Sequence, residues 1–332
     1  MMKIKEIWDE LENDDSSSPR LLLRRYAGTV LPDVFVAFQN PEKIRCIAAS
    51  ISNHTPVGLS QFANLRDISV EVLPDERRQD KKYLLFKLLN SQHIDVFGVL
   101  CEDLMFSVEK ITLETELIGE LFNRFEKWKS LFDIAAAQGL SSEEQRGLYG
   151  ELALMRTLLN NFSNRYLVTE SWKGCERQAR DFQYQSWAIE VKTTHGKNHQ
   201  KVHINNERQL DNSNFSNLYL SHFSLEVLEN SGESLNDIIG SIRKILQTEI
   251  RALNRFNFKL FECGYFDHHS ELYASIGYLV RESSFFSVEG NFPRIKESDL
   301  RKGVGDVQYT IILSTLSSYT IPEKKVIQTL SF

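Results

Sequence analysis

The sequence predicts an α/β (α+β) chain with a β-rich N-terminal domain, and three observations predict it. Strand-like runs recur between Asp33 and Leu100, the stretch Asp181 to Lys192 alternates like a hairpin, and Ser141 to Asn160 and Leu235 to Arg255 carry helical periodicity.

In chain order, an amphipathic segment, Ile4 to Leu11, precedes an acidic, Ser-rich linker, Asn13 to Pro19. Asp33 to Phe38, Ile44 to Ala49, Ile68 to Val72, Tyr83 to Leu88 and Asp95 to Leu100 then read as strands. Target recognition, dimerisation and docking to a partner subunit are all open for this region. Glu114 to Ala137 reads as a connecting helix that buries Leu117, Leu121, Phe125 and Trp128.

Ser141 to Asn160 is a helix opened by a capping box, either Ser142 with Gln145 or Ser141 with Glu144. Leu148, Leu152, Met155, Leu158 and Leu159 form its buried stripe, with Glu151 on the margin. Gly147 and Gly150 each cost about 1 kcal/mol against Ala in a helix interior. They imply either tight helix packing or the close approach of another backbone or a ligand.

A two-residue turn at Gln185 and Ser186 pairs Tyr184 with Trp187, Gln183 with Ala188, Phe182 with Ile189 and Asp181 with Glu190. The last pair sets two carboxylates roughly 5 Å apart, a repulsive arrangement unless something neutralises it. A divalent cation does so, and Lys192 returns to the same face. Hard oxygen ligands with an ammonium suit metal-assisted attack of water on a phosphodiester; the plain alternative is an exposed ion pair. Acid-x-Lys also occurs at Asp80-Lys81-Lys82, in a polar run, and at Glu323-Lys324-Lys325, with no comparable upstream Asp. Only Glu190-Val191-Lys192 lies in a strand pattern.

Taken in order, the Gly-Glu helix, Asp181-Phe182 and Ile189-Glu-Val-Lys-Thr-Thr194 resemble the PD-(D/E)XK nuclease superfamily. The resemblance is closest to bacterial members with a Gly-x-x-Gly-Glu-Leu helix, encoded in restriction and phage-defence clusters. It implies a restriction-endonuclease-like core at about 138–225, a mixed sheet flanked by helices, between a β-rich domain (1–112), the connecting helix (113–137) and an α+β C-terminal region (226–332). It implies Mg²⁺-dependent hydrolysis of DNA, with Mn²⁺ able to substitute. Asp181, Glu190 and Glu151 match the metal ligands and Lys192 the catalytic lysine; Arg180 stands where the family name has Pro. Gln209 is the candidate for positioning substrate or a metal-bound water, ahead of Glu207, in a helix capped by Asn205 or Asn206. The expected partners are DNA, a second copy of the chain, and defence-system subunits such as an ATPase, helicase or methyltransferase.

The net charge of −6 excludes whole-surface adhesion to nucleic acid. Between Trp172 and His203, however, cations outnumber acids, and Lys173, Arg180 and Lys197 are candidate substrate contacts. His195, His199 and His203 recur every fourth residue, but Gly196 and Asn198 break any helix that would align them on a metal. Cys46, Cys101, Cys175 and Cys263 lack a Cys-x-x-Cys pair and read as reduced thiols. No apolar run reaches the roughly 20 residues of a membrane span and no signal peptide is visible, so the expectation is a soluble cytoplasmic protein.

Overall fold

A computed structural model describes residues 4–13, 20–26, 33–59, 62, 67–135, 139–176, 178–196 and 201–332. The chain divides into two compact units, Met1–Gln138 with Phe266–His268, and Gly139–Tyr265 with His269–Phe332.

The first unit runs α1 (Ile4–Glu12), β1 (Arg20–Arg25), β2 (Val34–Asn40), β3 (Ile44–Ser52), β4 (Ile68–Pro74), β5 (Lys81–Leu88), α2 (Ile94–Ser107) and α3 (Glu114–Ala135). Its strands form one antiparallel sheet in the order β1-β2-β3-β5-β4. Trp8, on the buried stripe of α1, donates its indole N–H to the carbonyls of Ala37 and Cys46, which ties that helix to the sheet. The expected strand from Asp95 to Leu100 is instead the first part of α2. A short apolar run fits both periods; here burial continues at Cys101, Leu104 and Met105 with helical spacing, and that packing decides the outcome.

The second unit contains α4 (Ser142–Asn161), α5 (Arg165–Ser171), β6 (Phe182–Tyr184), β7 (Trp187–His195), β8 (Lys201–Ile204), β9 (Asn217–Glu229), β10 (Glu233–Ser234), α6 (Leu235–Leu246), α7 (Ile250–Glu262), α8 (Ser270–Tyr273), β11 (Ile276–Ser287), β12 (Tyr309–Ile312), β13 (Thr320–Ile321) and α9 (Glu323–Thr329). Its main sheet follows β10-β11-β9-β7-β6, with β13 on β11. It is mixed, because β7 runs parallel to β9 while the other pairs are antiparallel. Phe182, Trp187, Ile189 and Val191 form one buried cluster with α4, α6 and α7. Ala188, Leu218 and Leu220 join another that is closed by the β8-β12 ribbon and Phe292. One face of the sheet is thus packed by helices, the other by the ribbon.

Two further expectations change. Leu235 to Arg255 is two helices, α6 and α7, broken at Gln247 to Glu249. Each buries its own stripe, and the change of direction lets both pack on one core. Cys175 and Cys263 are joined in a disulfide, contrary to the expectation of reduced thiols; their separation of 88 residues hid a pairing that only the packing of α7 creates. Cys46 and Cys101 are free and buried, and burial pushes the Cys46 thiol up to about 12. No helix among the described residues is long and apolar enough to cross a membrane.

Candidate active site

The hairpin forms in the expected register: Phe182 faces Ile189, Gln183 faces Ala188 and Tyr184 faces Trp187, around a turn whose Gln185 has φ 46°. Asp181 lies one position beyond the last backbone pair, level with Glu190. There the side chain takes over from the ladder, since Asp181 Oδ2 accepts the Val191 N–H at 2.7 Å. β6 therefore pairs with only the first part of β7, and the edge beyond Ile189 faces a cavity of about 510 Å³. Asp181, Glu190, Lys192, Glu151 and Gln209 all line it.

Glu151 arrives from α4, whose capping box is the Ser141 and Glu144 alternative. The buried Trp172 donates its indole N–H to Glu151 Oε2 at 2.6 Å. Backbone N–H groups of Lys173 (2.6 Å) and Gly174 (3.1 Å) hold the Asp181 carbonyl. A Cβ on Gly174 would overlap Glu151 Oε2 and lie 3.2 Å from Asp181 Oδ1, so glycine is what lets these two carboxylates share the space. Gly150 is excused in a similar way, because a Cβ there would strike Thr193 Cγ2.

The electrostatics follow from three acids at one cavity, Glu190 buried and Glu151 and Asp181 half-buried. Burial, reinforced by Asp181, lifts the Glu190 carboxyl to about 8 against the pull of Lys192. Burial and then Asp181 raise Glu151, and burial raises Asp181. Burial alone would lower Lys192, but Glu190 and Asp181 carry it above its ordinary value. Its ammonium lies 2.9 Å from Glu190 Oε1 and donates to Gln209 Oε1 at 3.2 Å. Gln209 also accepts the Asn205 N–H, at 2.8 Å, which fixes the amide.

Among the described residues, no group of three His, Cys, Asp or Glu side chains stands ready to hold a metal ion. The donor chemistry nevertheless fits a hard cation. Glu190 Oε2 is buried without a hydrogen-bond partner, a costly arrangement for a carboxylate, and Asp181 and Glu151 bring oxygens to the same cavity.

The candidate substrate contacts divide. Arg180 is buried, donates to the Asp211 carbonyl and stacks over Phe215 at 4.7 Å, so it braces the start of the hairpin from inside. The Lys173 ammonium pairs with Glu176 at 3.2 Å, within a cluster that also holds Glu170, Arg255 and Lys259. Lys197 and His199 lie outside the described residues. Glu207 is buried and accepts the Val307 N–H, away from the cavity. It sits with Gln209 on a short 3₁₀ turn, capped by Asn206. Sequence reasoning missed Trp172, Gly174 and Arg146; nothing local marks the first two, whose partners are brought by folding. His195 and His203 reach the cavity wall without a helix to align them.

An α+β unit that places a helix glutamate beside a hairpin bearing Asp and Glu-x-Lys is compatible with a nuclease-like core of the PD-(D/E)XK class. The chain belongs to the family described as "Putative PD-(D/E)XK family member, (DUF4420)", which matches residues 4–314. No curated protein and no solved structure matches it.

Proposed function

We propose that this chain is a Mg²⁺-dependent DNA endonuclease, the cleaving subunit of a restriction or phage-defence system. The observation that carries the reading is that Asp181, Glu190 and Glu151 line one cavity, where buried Glu190 keeps an unpartnered carboxylate oxygen and Lys192 is the cation beside it. Asp181, Glu190 and Glu151 would hold the metal, with Mn²⁺ as a substitute. When bound, the ion supplies Lewis-acid polarisation of the phosphoryl group and a lowered pKa for water.

The protein's own groups supply orientation and charge. Gln209 and Glu190 hold the Lys192 ammonium at the cavity, where it can donate to the attacking water or to a phosphoryl oxygen that gains charge. Trp172 engages one oxygen of Glu151 and thereby fixes that carboxylate. Two cuts on a duplex call for two active sites, which a second copy of the chain supplies.

Supercoiled plasmid and unmodified phage DNA, incubated with wild type and Asp181→Asn in Mg²⁺, Mn²⁺ or EDTA, test the reading. Cleavage by wild type alone, abolished by EDTA, is expected. A second reading, a non-catalytic DNA-binding or assembly subunit, is favoured by the lack of a ready three-ligand group among the described residues. Calorimetric titration with Mn²⁺ separates the two, since a folded protein that takes up no metal fits only the second.

A further inference from the structure

Packing does not hold Gly147 to glycine, a condition it shares with the helical Gly119 and Gly240; what sets it apart is its place at the cavity. It occupies the interior of α4, and a Cβ there would meet nothing within 4 Å, whereas the same atom at Gly150 would collide with Thr193. The fold therefore gives up helix stability at Gly147 without gaining packing. Gly147 lines the cavity one helical turn before Glu151, about 6 Å along the axis, with Glu143 one turn further back. Arg146, its neighbour in sequence, and Lys201 also line the cavity and are cations that phosphate would pair with. The unpartnered Oε2 of buried Glu190, in the same cavity, independently marks the space as one that receives a ligand.

We propose that Gly147 is the position at which the sugar-phosphate backbone of the nucleic-acid substrate lies against α4, the bare Cα leaving room for a strand to reach the carboxylates. The inference rests on the nuclease reading and adds to it a substrate-contact residue. A side chain at Gly147 would stand where the strand must pass, so substitution should improve the fold and impair the function.

The test compares Gly147→Ala and Gly147→Leu with Gly240→Ala in the full chain. Gly240 lies within α6, also has nothing within 4 Å of a built Cβ, and is not part of the cavity. Both alanine variants should raise Tm by about 2–4 °C. Only the Gly147 variants should lose function: cleavage of plasmid in Mg²⁺, and binding of a fluorescein-labelled duplex in Ca²⁺, should fall about tenfold for Ala and further for Leu. Gly147→Ala and Gly147→Leu proteins that bind and cut like Gly240→Ala would overturn the inference while leaving the nuclease reading intact. A wild-type protein that neither cuts plasmid nor binds the duplex would overturn that reading, and this inference with it.

Discussion

Replacing Glu190 by Gln should make the EDTA-treated protein more stable at neutral pH while abolishing the proposed metal binding. The Glu190 carboxyl rises from 4.5 to about 8, with burial the first cause and Asp181 the second. Between those values the unfolded chain has released a proton that the folded chain still holds. Glu190 therefore contributes most below the unfolded pKa, and stability is lost as pH rises towards 8, beyond which the loss levels off. At pH 7 the deficit is on the order of 3 kcal/mol. Glu151 and Asp181, also raised, act in the same direction. Urea denaturation in EDTA from about pH 5 to about pH 8 reads this directly. The wild-type curve should fall relative to Glu190→Gln, and the difference at pH 7 should approach the magnitude above. Mg²⁺ binding must displace the proton, so apparent metal affinity should climb with pH up to about 8. Parallel pH curves for the two proteins, or a wild type that gains on Glu190→Gln as pH rises, would falsify the argument.

Further outcomes follow from individual contacts. Trp172→Phe keeps most of the ring but removes the donor to Glu151, and should weaken Mn²⁺ binding by about tenfold or more in a calorimetric titration of a protein that still folds. Gly150→Ala drives a methyl into Thr193 and should lower stability by about 1–3 kcal/mol in urea denaturation, the opposite sign to Gly147→Ala. Cys175→Ser opens a disulfide spanning 88 residues and should cost about 2–4 kcal/mol, measured by thermal denaturation beside a reduced wild-type sample. Gln209→Leu releases the Lys192 ammonium on one side and should reduce plasmid cleavage several-fold without changing Mn²⁺ uptake.

Local pattern carried a large share of this protein. The register around Gln185 and Ser186 and a capping box at the start of α4, though not which of its two serines, follow from turn chemistry and capping, both set by residues a few positions apart. The hairpin was legible because its two carboxylates have no reason to face each other unless something answers their charge. The other acid-x-Lys triplets lie elsewhere, but the first is not outside a strand as expected: Lys81 and Lys82 begin β5, with Lys81 paired to Glu114, while Glu323 to Lys325 open α9. The strand expected at Asp95 failed because a short apolar run is compatible with either period until its surroundings choose.

What the sequence by itself determined was the set of chemical groups and the short elements that present them: Asp181, Glu190 and Lys192 on one hairpin and Glu151 on one helix. Only the tertiary structure decided how they are used. It buried Arg180 and committed Lys173 to Glu176. It brought Trp172 to Glu151, joined Cys175 to Cys263, and distinguished a glycine needed for packing, Gly150, from one that faces open space, Gly147. Hydrogen bonds, ion pairs and cavities between residues distant in sequence depend on where the chain returns, and local periodicity holds no record of that return.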